Sequence, residues 1–248
     1  MLANITIANV LISLISFVGV VFVSNKKLLT GKIVQYLVSF AAGVMLSTAF
    51  LNILPEALET GEVKEVLSYA LGGMVFGFFL ERFLLWYHHH HEDMHNVKPI
   101  SLLVLIGDGI HNFVDGVAIA ATFLVNPALG ISTAIAVAAH EIPQEFADFS
   151  VLIHCGFSSR KALVLNFLSA LMAVLGGIFG FYFLLQFQSY VPLAIALAAG
   201  IFIYIASADL IPELHRTHKK GELFEQVLPF TLGILIMVFL SQVLVESH

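Results

Sequence analysis

The sequence predicts an all-α polytopic membrane protein: eight transmembrane helices, with an inverted repeat of the first three and last three spans around a central two-helix metal site. Three observations predict it. The 248 residues are 59% hydrophobic and only 11% charged, with a mean hydropathy of +0.95, whereas soluble domains carry about 25% charged residues. Eight segments approach the ~20 apolar residues that a bilayer requires. Two of those segments carry stripes of histidine and carboxylate that hydrocarbon does not tolerate without partners.

The expected spans are 5–23, 33–54, 66–87, 100–124, 128–153, 162–186, 192–213 and 227–245. Residues 5–23 have no basic residue before them, while Lys26 and Lys27 follow, so this segment reads as a retained first span rather than a signal peptide. The connections are short, which leaves one domain over 1–248 and no room for a soluble one between spans. The single cysteine, Cys155, excludes an intramolecular disulfide framework, and no finger-type Cys/His spacing occurs. Eleven Lys and Arg form no patch suited to nucleic acid.

Those basic residues do set an orientation. Lys26, Lys27 and Lys32 flank the first connection, Arg82 and Lys98 the third, Arg160 and Lys161 the fifth, and Arg216, Lys219 and Lys220 the seventh, leaving Lys64 alone on the other side. Odd-numbered connections are therefore expected in the cytoplasm and both termini outside it. The second and seventh spans also repeat: AAGVMLSTAFLNILPEAL (41–58) returns as AAGIFIYIASADLIPELH (198–215), an offset of 157 residues. Ala41, Ala42, Gly43, Pro55 and Glu56 match Ala198, Ala199, Gly200, Pro212 and Glu213, and Asn52 matches Asp209. An even span matching an odd one makes the repeat inverted, a pattern of secondary transporters with a midplane polar site.

The fourth span, IGDGIHNFVDGVAIA, carries Asp108, His111, Asn112 and Asp115 at i, i+3, i+4 and i+7, one helical stripe. His111 and Asp115 lie one turn apart and can grip one ion; Asn112 adds a neutral oxygen. Gly107, Gly109 and Gly116 thin this helix for close approach. The fifth span, VAAHEIPQEFADF, carries His140, Glu141, Gln144, Glu145 and Asp148, again on one face. Pro143 removes a helical donor and frees the Ala139 carbonyl, which predicts a local break. Each carboxylate at the bilayer centre costs about 2.5–3.5 kcal/mol even on a lenient scale. Five on adjacent helices therefore imply a cation, protons or water among them, and imidazole plus carboxylate without thiolate suits a divalent metal such as zinc. The string HEIPQ is similar to the HExxH of zinc proteases, but Gln144 stands for the second histidine and a proline interrupts the turn.

HNFVDG and HEIPQE resemble the paired signature motifs of the ZIP family, the Zrt/Irt-like divalent metal transporters. NILPEAL and DLIPEL resemble that family's second- and seventh-span endings, and a histidine-rich third connection is also typical of it. The resemblance covers essentially the whole chain. It implies uptake of zinc, or of Cd2+, Fe2+, Mn2+ or Co2+, into the cytoplasm across the plasma (inner) membrane, with no catalytic cofactor. It implies a binuclear site between the fourth and fifth spans. His111, Asp115, His140 and Gln144 correspond to one metal position; Asn112, Asp115, Glu141 and Gln144 correspond to the other, with Glu145 adjacent. An elevator motion of the first, fourth, fifth and sixth spans, and a homodimer, are implied by the resemblance alone. Many relatives have histidine or a carboxylate at Gln144, and several have histidine at Asn52, so the second position is expected to hold metal loosely. The sixth span offers Asn166 and Ser169 without a carboxylate, so no ligand is expected from it.

Softer expectations concern the route. His88, His89, His90, His91 and His95 in the loop 88–98 are candidates for collecting metal on the cytoplasmic side. Glu213, His215 and His218 are candidates for an exit relay, Glu56, Glu59, Glu62 and Glu65 for attracting cations at the outer face, Asp108 and Asp148 for extending the path or carrying protons, and Asn52 and Asp209 for lining it. The rival reading is an intramembrane zinc hydrolase with His111 and His140 as ligands. Such an enzyme needs a fixed metal with an open position, but neither polar residues towards both faces nor an inverted repeat. Alternating-access transport, not enzymatic activity, is the expected function.

Overall fold

Proline and glycine at corresponding places in the two halves explain most of the architecture. The structure, a computed structural model, describes residues 1–17, 31–89, 98–215 and 222–245. Within a bilayer the backbone must satisfy itself, so each apolar segment becomes a helix; no strand occurs among the described residues. The first rod is α1 (Leu2–Ser13), extended by a 3-10 turn Leu14–Phe17. The second is α2 (Gly31–Ser47), a π-helical segment Thr48–Ile53, and α3 (Leu54–Thr60). The third, fourth and fifth are α4 (Val63–His89), α5 (Lys98–Val125) and α6 (Pro127–His154). The sixth is α7 (Ser159–Ala170) with α8 (Met172–Gln186). The seventh is α9 (Val191–Tyr204), a second π-helical segment Ile205–Leu210, and α10 (Ile211–His215), and the eighth is α11 (Glu222–Val245).

Among the described residues, six stretches are long and apolar enough to cross a membrane: Lys32–Thr60, Val63–Arg82, Val104–Val125, Ser159–Gln186, Gln188–His215 and Phe224–Val243. The expected spans 5–23 and 128–153 are not among them, for different reasons. The first rod is described only as far as Phe17. Helix α6 has 28 residues, about 42 Å at 1.5 Å each, but His140, Glu141, Gln144, Glu145 and Asp148 depress its hydropathy. The break expected at Pro143 does not interrupt α6, which is continuous through it.

The inverted repeat is visible in the backbone. The two π-helical segments, Thr48–Ile53 and Ile205–Leu210, are separated by the same 157 residues as the sequence match. In each, a donor reaches five residues back: Leu54 N–H to the Ala49 carbonyl, and Ile211 N–H to the Ala206 carbonyl. The cause lies one residue on. Pro55 and Pro212 supply no N–H and crowd the carbonyl four residues back, and the wider turn accommodates both.

Packing repeats the same relation. Gly43 abuts the Phe230 carbonyl and Gly233 the Phe40 carbonyl, joining second and eighth rods. Gly200 abuts the Ala70 carbonyl and Gly73 the Leu197 carbonyl, joining seventh and third. Adding 157 converts Phe40 and Gly43 into Leu197 and Gly200, and adding 160 converts Ala70 and Gly73 into Phe230 and Gly233. Each rod pair therefore approaches through glycine against backbone, as small residues allow in membranes. In the centre, Gly116 of α5 abuts the Ala173 carbonyl and Gly176 of α8 the Phe113 carbonyl; a methyl group at Gly109 would make only ordinary contact, 3.4 Å from Met172.

The turns around α6 follow from local sequence. Asn126 caps its N-terminus by accepting from Leu129 N–H at 2.7 Å, with Pro127 pre-set in the first turn. At its C-terminus Gly156 adopts φ +83°, and the Gly156 and Phe157 N–H groups donate to the Ile153 and Leu152 carbonyls, a left-handed helix stop suited to glycine. Asn126→Ala is expected to lower stability by about 1 kcal/mol, read as a small fall in melting temperature of the detergent-solubilised protein.

Candidate metal centre

Helices α5 and α6 pack on each other in the middle of the bundle and turn their polar stripes face to face. His111 and Asp115 come from α5; His140 and Glu141 come from α6. One donor atom from each lies within 4.8 Å of all the others. His140 Nε2 is 3.1 Å from Asp115 Oδ2, 3.2 Å from His111 Nε2 and 3.8 Å from Glu141 Oε1. His111 Nε2 is 3.6 Å from Asp115 Oδ2 and 3.9 Å from Glu141 Oε1. Tetrahedral zinc with bonds near 2.0–2.2 Å sets its ligand atoms about 3.3–3.6 Å apart. The four atoms are thus close to the corners that such an ion needs.

The imidazoles are arranged for this task. His140 Nδ1 lies 3.1 Å from the Ala136 carbonyl, one turn back. An N–H at Nδ1 would donate there, which leaves the Nε2 lone pair facing the cluster, the usual outer-shell device at metal-binding histidines. His111 and His140 meet edge to face, with centroids 5.4 Å apart. Asp115, His140 and Glu141 are each 1% exposed. Bare charges so deep cost several kcal/mol each, and a shared cation removes that cost.

A second group overlaps the first. Oxygens of Asp108, Glu141 and Glu145 lie within 4.8 Å of one another, so Glu141 belongs to both. Asn112 Nδ2 donates to Asp108 Oδ1 at 2.9 Å, and Gln144 Nε2 reaches the same oxygen at 3.4 Å. Asn166 Nδ2 donates to Glu145 Oε2. The sixth rod thus contributes through Asn166, which holds a carboxylate rather than an ion. Gln144, which the resemblance sets with both imidazoles, reaches Asp108 Oδ1, and Glu141 is the fourth member of the histidine–carboxylate group.

A cavity of about 320 Å3 leads away from these groups. His111, Asp108, Gln144, Asp148 and Asp209 line it, together with Glu81 and Tyr204. It is lined by the third and seventh rods through Phe76, Glu81, Tyr204 and Asp209; in the sequence Arg82 and Lys98 flank the connection after the third rod, and Arg216, Lys219 and Lys220 follow the seventh. Tyr204 donates its hydroxyl to Glu81 across 123 residues of chain. Neither residue stood out in the sequence: Glu81 sits at the edge of an apolar run beside Arg82, and only the fold brings it to Tyr204.

Asn52 and Glu56 line a separate cavity of about 420 Å3 with Asn126, Ser132 and Gln242. Asn52 and its repeat partner Asp209 consequently line different cavities. Glu213 and His215 are exposed at the end of α10 and line neither. His88 and His89 end α4, but their side chains, and all of His90, His91, His95 and His218, lie outside the described residues.

Residues 2–96 and 87–241 match a family model described as ZIP Zinc transporter. Zinc transporter foi of Drosophila melanogaster is 40% identical over 152 residues, covering 61% of this chain and 21% of the relative. Zinc transporter ZIP6 of Homo sapiens is 37% identical over 152 residues, covering 58% and 20%. Metal cation symporter ZIP14 of Xenopus tropicalis is 40% identical over 127 residues, covering 51% and 27%. The chain spans about a fifth to a quarter of the length of these relatives.

Proposed function

The chain belongs to the ZIP zinc transporter family, and from that premise we propose that it carries zinc across a membrane into the cytoplasm by alternating access. The observation that carries the reading is the four-donor group His111, Asp115, His140 and Glu141, spaced for tetrahedral zinc between two helices, with all but His111 buried. His111 is both a member of that group and part of the wall of the cavity, so an ion released by the group has a route with Asp108, Asp148 and Asp209 along it. The basic connections beside that route give it the cytoplasmic side, which puts both termini outside and the cavity facing in.

In this reading residues 1–248 form a single domain of eight spans. The first and fifth cross although one is short as described and the other is polar. The protein sits in the plasma membrane as a homodimer, and its cargo is zinc, with other divalent transition ions admitted by the same donors. Four protein donors around one point leave no open position of the kind a catalytic zinc keeps for substrate, which favours a carrier over a hydrolase. Because histidine and carboxylates bind metal only after losing protons, uptake falls as the medium is acidified.

The test is zinc uptake into proteoliposomes, wild type beside the double variant His111→Ala/Asp115→Ala. Saturable uptake that disappears in a variant of unchanged elution and melting temperature is the expected result. A folded wild-type protein that binds zinc stoichiometrically yet gives no flux would overturn the carrier reading.

A further inference from the structure

Building on the carrier reading, we propose that Tyr204 is a positioning residue for release. Its hydroxyl occupies one oxygen of Glu81, so that the mouth of the cavity attracts a divalent ion without trapping it. Tyr204 donates to Glu81 Oε2, from the seventh rod to the third. The ring is seated for that bond. A methyl group at Gly77 would stand 2.7 Å from Tyr204 Cδ1, so glycine leaves the ring its place. Phe78 meets the same ring edge to face, with centroids 6.5 Å apart.

Glu81, Tyr204 and Asp209 line the cavity that also holds His111 and Asp108 in its wall. Tyr204 immediately precedes the π-helical segment Ile205–Leu210, and Asp209 lies within it, five residues on. Five residues is the hydrogen-bonding interval of that helix type, and both side chains reach the cavity. Two carboxylates with every oxygen free could grip an ion from both sides. A conducting path needs binding weak enough for the ion to leave. A hydroxyl donated to a carboxylate is a charge-assisted hydrogen bond, which must break before Glu81 can bind through both oxygens. With one oxygen held, Glu81 offers a passing ion a single contact.

The other half of the repeat is an internal control. Subtracting 157 from Tyr204 and Asp209 gives Ser47 and Asn52, and adding 160 to Gly77 and Glu81 gives Met237 and Ser241. Asn52 and Ser241 line the second cavity, as Asp209 and Glu81 line the first. The backbone relation is kept while the chemistry is not. There the bulky residue is the fully buried Met237 of the eighth rod, and the Ser47 hydroxyl donates to the Gly43 carbonyl of its own helix. Neither Asn52 nor Ser241 is a carboxylate. Space between the rods can thus be filled without a tyrosine, and the tyrosine hydroxyl stands where there is a carboxylate to restrain.

Tyr204→Phe keeps the ring and removes the hydroxyl. In calorimetric titration of the purified full chain with zinc, binding at Glu81 and Asp209 is expected to strengthen about tenfold, the scale of one hydrogen bond to a charged group. The tight event at the first group is expected to stay unchanged, and zinc uptake into proteoliposomes to slow. Removing the charge as well, in Tyr204→Phe/Glu81→Gln, is expected to abolish the added binding and restore the uptake rate, which a merely structural defect would not do. Unchanged binding in Tyr204→Phe would overturn the proposal, and so would a loss of uptake that the double variant fails to restore. If Tyr204→Phe fails to fold, Tyr204→Met, which also lacks the hydroxyl, is read by the same criteria. Calorimetry needs no flux, so a wild-type protein without uptake removes the carrier reading while the binding comparison still decides the role of Tyr204. Normal wild-type flux with no change in the variants removes this role alone.

Discussion

His140→Ala is expected to weaken zinc binding by about a hundredfold or more, roughly 2.7 kcal/mol, and to abolish saturable uptake. The ring is the best-anchored donor of the first group. Its Nδ1 is 3.1 Å from the Ala136 carbonyl and its Nε2 is 3.1–3.2 Å from both Asp115 and His111. Removing it takes away one corner of the tetrahedron. It also strips a polar neighbour from Asp115 and Glu141, both 1% exposed, so those carboxylates lose part of what offsets their burial. A conservative change separates the two effects: His140→Gln keeps a polar group there but lacks the imidazole donor, so folding should recover without zinc affinity. Calorimetric titration with zinc checks the affinity, and tracer uptake checks the flux. Binding within threefold of wild type in His140→Ala would place the ion elsewhere.

The second large effect is on assembly. Gly43→Ala and Gly200→Ala are each expected to destabilise the bundle by about 1–3 kcal/mol, the usual cost of overpacking, and by similar amounts. A methyl group at Gly43 would run into the Phe230 carbonyl, and one at Gly200 into the Ala70 carbonyl. Backbone cannot rotate aside as a side chain can, so a whole rod must shift. Gly72→Ala is the control: nothing lies within 4 Å of a methyl group there, and replacing a helical glycine should stabilise by about 0.5–1 kcal/mol. Thermal unfolding in detergent reads all three. A large drop for one of Gly43 and Gly200 without the other would show that their matching surroundings are not matched in energy.

Features written at helical spacing are legible in the amino-acid order itself. The two metal stripes follow from i, i+3 and i+4 relations within single helices, and the inverted repeat follows from matched glycine and proline. The proline pair also marks where the helices are irregular, but not that each widens into a π-helical turn, since a missing donor can equally kink a helix. What the sequence withholds depends on side chains choosing among partners. Gln144 could face the imidazoles or Asp108, and in the fold it reaches Asp108. Asn166 is legible as polar but not as the holder of Glu145. The contact of Glu81 with Tyr204 joins residues 123 positions apart, and nothing local announces it. Helix α6 coincides with the expected segment 128–153, although its polar residues leave it less apolar than the six stretches long and apolar enough to cross a membrane.

The paired packing of the repeats has a consequence for how the chain is threaded into its membrane. The two three-rod units meet through paired glycine contacts, second rod on eighth and seventh on third, and carry the same widened turns, so these packed faces carry no information about direction. That information sits in the connections. Residues 59–65 read ETGEVKE, and the stretch 157 positions on, 216–222, reads RTHKKGE; residues 24–32 hold Lys26, Lys27 and Lys32, while 181–189 hold no charge at all. One matching pair has diverged to opposite charge and the other to basic against uncharged. Exchanging those short stretches would rewrite the address of each unit while leaving the glycine contacts between the units untouched, and the two properties can therefore drift, or be engineered, independently.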